Sequence, residues 1–96
     1  MAIVTISALE VPQDRIEETI KLWRRYNSIL VKQPGFISSK LHRAIEPGSS
    51  FALVNVAEWA SEQDYHNAVE QVIAQLGAPA VPGLRIYPTV YESVSD

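Results

Sequence analysis

The nine residues Phe51 to Trp59 (FALVNVAEW) restrict the fold of this chain more than any other stretch. They read as a strand, and successive side chains of a strand point to opposite faces. One face carries Phe51, Leu53, Asn55, Ala57 and Trp59; the other carries Ala52, Val54, Val56 and Glu58. Both are largely apolar, where a half-solvated antiparallel strand would alternate with polar residues. Either the strand is a two-sided one that is merely somewhat hydrophobic, or each face is covered. The second reading predicts helices on one side and a second copy of the chain on the other, because a closed two-fold dimer is the commonest solution.

The rest of the chain supplies the helices. Ala2 to Val11 is β-branched, short and bounded by Pro12, which is how a strand reads. Asp14 followed by Glu17 predicts a capped helix start, and Ile16, Ile20, Trp23, Asn27 and Leu30 form its stripe until Gln33-Pro34-Gly35. Phe36 to Ala44 and Phe51 to Trp59 flank the turn residues Glu46 to Ser49 and read as a hairpin. Ser61, three residues before Asp64, predicts a second cap, and Tyr65, Ala68, Val69, Val72 and Leu76 line the helix that Gly77 ends. After a loop to Gly83, Leu84 to Val94 is the last strand, and Pro88 within it requires an edge or a bulge. The order β-α-β-β-α-β is the split βαβ, ferredoxin-like α+β arrangement, with two helices on one face of an antiparallel sheet. Two such sheets face to face would make a dimeric α+β barrel.

At 96 residues the chain is expected to be one domain spanning 1–96, small enough to gain from a second subunit. It has no cysteine, which excludes thiol catalysis and disulfides and suits a reducing cytoplasm. The net charge of −3 argues against a nucleic-acid partner. Met1 to Glu10 lacks the pattern of a signal peptide, and no apolar run reaches membrane-spanning length, so a cytoplasmic protein without a membrane partner is expected.

Asn55 stands between Leu53 and Ala57 on its face, and a buried amide must find partners or cost about 1–3 kcal/mol. Trp59 points to the same side, and Tyr65 enters from the next helix. An amide, an indole N–H and a phenol at one cavity mouth, with apolar walls from Phe51 and Leu53, could hold an oxygen-bearing aromatic molecule. The alternative is that Asn55 is satisfied by neighbouring backbone while the two aromatic residues close the core. His42, taken by strict alternation to share a side with Phe36, Ser38 and Lys40, reads as a surface or cavity-edge imidazole, with a general base as the lesser reading. His66 lies beside the apolar stripe. Neither histidine has a second ligand at metal spacing, and there is no phosphate loop or nucleophile elbow, so no metal and no cofactor is expected.

The string PGFISSKLHRA, followed after the turn by VNVAEWASEQDYHNAV, resembles the antibiotic biosynthesis monooxygenase family, from about Ile3 to Val69. The second half is most similar to the quinone-forming type of actinorhodin biosynthesis, which oxidises a phenolic polyketide with molecular oxygen and without metal, flavin or haem. The resemblance implies a monooxygenase in which Asn55, Trp59 and Tyr65 border the substrate, Asn55 and Trp59 donate to its developing oxyanion, and His42 or Tyr65 accepts or relays the proton; Phe51, from the alternation, and Leu41, at a matching position, would stand against the substrate. It departs from the pattern at Leu41, where that type has a Tyr, and near Pro79, where an Arg has no counterpart. Haem-degrading relatives carry an Asn on the first strand, where this chain has Thr5 and Ser7, and a later Trp and His that it lacks. A ligand-binding or structural dimer of the same fold is the non-enzymatic alternative.

Overall fold

The computed structural model describes residues 2–95. Its elements are β1 (Ile3–Glu10), a 3-10 turn (Gln13–Arg15), α1 (Ile16–Leu30), β2 (Phe36–Arg43), β3 (Leu53–Trp59), α2 (Glu62–Leu76) and β4 (Arg85–Tyr91). The strands form one antiparallel sheet in the order β2-β3-β1-β4. This is the ferredoxin-like α+β fold, and the two-layer slab measures 38 × 35 × 16 Å.

Alternation within the central strands divides the residues between two environments. Leu9, Leu53, Ala57 and Trp59 are buried beneath the helices with Ala68 and Val72 of α2. On the other face Val4, Ile6 and Ala8 of β1 lie opposite Glu58, Val56 and Val54 of β3. No helix covers them, and Tyr87 and Tyr91 of β4 flank the patch at 47% and 46% exposure. Pro88 is opposite Ser7 on β4, an edge strand, where a missing amide proton costs no ladder bond on the open side.

The two helix starts differ. Ser61 caps α2 as expected, its Oγ accepting from the Asp64 amide at 3.1 Å. Asp14 does not cap α1. Pro12 precedes it and its carbonyl accepts from the Arg15 amide at 2.9 Å, so Asp14 falls inside a 3-10 turn rather than ahead of the helix. Between α1 and β2, Gly35 has φ +85°, and a Cβ there would collide with the Asp64 side chain. Its carbonyl accepts from the Ala60 amide at 2.7 Å, which ties the entry of β2 to the exit of β3.

A β-bulge changes the reading of β2. Phe36 is opposite Trp59 and Ser38 is opposite Glu58, leaving Ile37 unpaired and 50% exposed. One extra residue inverts the alternation beyond it. Phe36, Ser39 and Leu41 therefore face the helices, while Ser38, Lys40 and His42 face the open side. β3 begins at Leu53, so Phe51 precedes the strand, and its ring meets Tyr87 edge-on at 5.8 Å.

Candidate active site

Trp59 anchors the site. It is 1% exposed, and it packs edge-on against Phe36 with centroids 5.4 Å apart and at a tilt against Tyr65 at 6.1 Å. Beside this cluster, between sheet and helices, is a cavity of about 210 Å³. Its floor is polar but uncharged: Thr5 and Ser7 of β1, Ser39 of β2 and Asn55 of β3. Leu30, Val69, Val72 and Ile73 of the helices make apolar walls, with Tyr26 and Tyr65 among them. Pro79 of the loop after α2 and Ile86 and Pro88 of β4 complete the lining. None of these residues is Asp, Glu, Lys, Arg or His.

Asn55 Oδ1 accepts from Ser39 Oγ at 3.3 Å. The amide nitrogen is then the part of Asn55 turned to the cavity. Burial pushes the Tyr65 phenol above its ordinary value, because a phenolate would lose its hydration there. At neutral pH Tyr65 holds its proton and is able to donate it in a hydrogen bond. The Tyr26 hydroxyl donates to the Gly77 carbonyl, joining α1 to the end of α2, and desolvation raises its pKa against a smaller opposing effect of Arg25.

Of the residues expected from the sequence, the structure brings Asn55, Trp59 and Tyr65 together on this cavity. It does not bring His42, Phe51 or Leu41. His42 is opposite Val54 and exposed on the far face of the sheet. Phe51 leaves the site because β3 has not begun at that residue. Leu41 faces the helices but lines a separate groove beside Trp23 and Ile20. Thr5, Ser7, Ser39 and Tyr26 were missed as lining residues. Thr5 and Ser7 carried a readable signal, being polar at alternate positions between Ile3 and Leu9. Ser39 carried none, since the bulge determines its face.

A groove of about 450 Å³ runs beneath the β2–β3 hairpin between Asp14, Glu17 and Glu46. It is open surface crossed by the exposed Arg43–Glu17 ion pair and bordered by Ile45 at 97% exposure, with no aromatic residue in it. Among the described residues no group of three or more His, Asp or Glu is placed to hold a metal ion, and no helix is long and apolar enough to cross a membrane.

The fold and site define a small α+β domain with a neutral, aromatic-ended cavity between its layers. The profile of the antibiotic biosynthesis monooxygenase family matches residues 2–74, and the chain belongs to that family. Among solved structures, a protein of Shewanella loihica PV-4 provisionally assigned as a monooxygenase is 32% identical, with TM-score 0.90 over 99% of this chain and 96% of that one. The haem degrader MhuD of Mycobacterium tuberculosis, solved with two haems in its active site, is 24% identical with TM-score 0.74, covering 98% of this chain and 97% of its own. SnoaB, a cofactor-independent oxygenase of Streptomyces nogalater, is 15% identical with TM-score 0.70 over 99% and 95% of the two chains. No curated protein sequence matches.

Proposed function

We propose that this protein is a cofactor-independent monooxygenase that oxidises a small phenolic aromatic substrate with O2, in the cytoplasm and as a homodimer paired through the open sheet face. The observation that carries the reading is the cavity itself: uncharged, apolar-walled, and bordered by the Asn55 amide, Trp59 and the Tyr65 phenol. Its space of about 210 Å³ suits a small aromatic molecule.

The chemistry needs no external reductant. A phenol with a free ring or benzylic C–H gives up four electrons as O2 inserts one oxygen into that carbon and the other leaves as water, yielding a quinone. The enzyme must favour the phenolate and exclude water, and the first electron then passes from the anion to O2. Asn55 Nδ2 and the Trp59 indole N–H donate to the substrate oxygen as negative charge gathers on it, and Tyr65 hydrogen-bonds beside them. Because the residues lining the cavity include no base, the phenol proton passes to water at the open side of the cavity as the anion binds.

Haem does not fit this cavity. No cation lines it to meet two propionates, and no histidine to bind iron.

The test is oxygen uptake with a panel of hydroxylated naphthalenes and anthrones, beside thermal unfolding of the same variants. Asn55→Ala should lower the rate roughly ten- to a hundredfold, about 1.5–3 kcal/mol of transition-state stabilisation, with little change in stability. No uptake with any panel member, or an Asn55→Ala that unfolds far earlier yet is fully active when folded, would leave a ligand-binding or structural dimer.

A further inference from the structure

We infer that Ser39 is a positioning residue for Asn55: delivered to the cavity floor by the bulge in β2, its hydroxyl holds the Asn55 amide with the nitrogen toward the substrate. The inference rests on the proposed oxidation for its kinetic consequence, but not for its structural content.

An Asn side chain presents a donor at one end and an acceptor at the other, and rotation by half a turn about its last bond exchanges them. In an uncharged cavity the difference decides function. An amide oxygen turned to the substrate would repel a developing phenolate, whereas the NH2 group stabilises it. Asn55 therefore needs a partner that donates to its oxygen. Ser39 Oγ stands 3.3 Å from Asn55 Oδ1, and both residues line the cavity. The Ser39 hydroxyl has one proton, and spending it on Oδ1 leaves the two amide protons for the ligand.

The backbone explains why this serine reaches the site. Ser39 is opposite Ala57, diagonal to Asn55 on the same face. With strict alternation from Phe36, Ser39 would face away from the helices; the bulge between Phe36 and Ser38 reverses it. The same device lets Phe36 pack on Trp59 and Ser39 serve Asn55, two positions of unlike parity on one face.

Two measurements on the intact folded chain test the assignment. In protein labelled with 15N at asparagine, side-chain relaxation of Asn55 should show an NH2 group about as rigid as the backbone. Ser39→Ala should loosen it and Ser39→Thr restore it. In oxygen uptake, Ser39→Ala should lower kcat about five- to tenfold, the consequence of losing one neutral hydrogen bond, with KM changed less than about twofold. In an Asn55→Ala background the same substitution should have no further effect. An Asn55 amide that is mobile in the wild type, or equally rigid in Ser39→Ala, overturns the inference whether or not any substrate turns over. If the wild type oxidises the panel and Ser39→Ala does so equally well, the inference falls while the oxidation stands; if nothing is oxidised, that reading falls and the relaxation data alone decide Ser39.

Discussion

His42 and Asn55 occupy adjoining strands one register step apart, yet their side chains project from opposite faces of the sheet, His42 beside Val54 on the open face and Asn55 into the cavity. A general base must come within about 3 Å of the proton it takes, or one water further. His42 borders the groove at the β2 edge with Leu41 and Trp23, and is not among the residues that line the cavity beside Asn55.

His42→Ala should accordingly leave kcat within about twofold of the wild type and leave its pH dependence unshifted, since a working base contributes roughly a hundredfold or more. Initial rates of oxygen uptake across pH 5–9 decide this. A hundredfold loss would mean that His42 reaches the substrate in a way the sheet register does not allow.

The open face that His42 shares with Ile6, Val54 and Val56 is where a second copy is expected. Val54→Asp would place a carboxylate in a dry, two-fold contact, meeting its own copy or apolar neighbours, and the desolvation should cost several kcal/mol. Sedimentation at micromolar concentration should find the wild type dimeric and the variant monomeric. A variant that sediments as a dimer removes this face from the interface.

Burial raises the pKa of both Tyr65 and Tyr26. Their unfolded value is near 10, so below that pH both states keep the proton and the stabilising contribution is complete. As pH rises from the unfolded pKa through the folded one, the unfolded chain loses its protons first, and stability declines. Denaturant titrations above pH 10 should show this slope, smaller in Tyr65→Phe. An unchanged slope would mean that Tyr65 ionises alike in both states.

Gly35→Ala should destabilise the fold by about 2 kcal/mol or more, because a positive φ disfavours any Cβ and this one meets the Asp64 side chain. Gly48 is a control, with a positive φ of +76° but open space around it, and alanine there should cost about 1 kcal/mol. Thermal unfolding compares the two. Equal losses would show that the approach of α2 to the α1–β2 connection adds nothing at Gly35.

What the sequence determined by itself was whatever depends on neighbours along the chain. Period two in Leu53–Trp59 put Asn55 beside Trp59, period 3.6 with Ser61 set the start of α2 and brought in Tyr65, and Pro88 restricted its strand to an edge or a bulge, of which the fold took the edge. Those preferences act within a few residues, so they are written in order. The tertiary structure alone decided the rest. The bulge at Ile37 exists because Phe36 meets Trp59 while Ser38 meets Glu58, a pairing between residues twenty or more positions apart, and that pairing sent His42 out of the site and Ser39 into it. Asp14 likewise lost its cap to Pro12, whose carbonyl closes the turn first. The cavity volume, too, is the space left between layers after packing, and no local spacing encodes a distance between elements that meet only when the chain has folded.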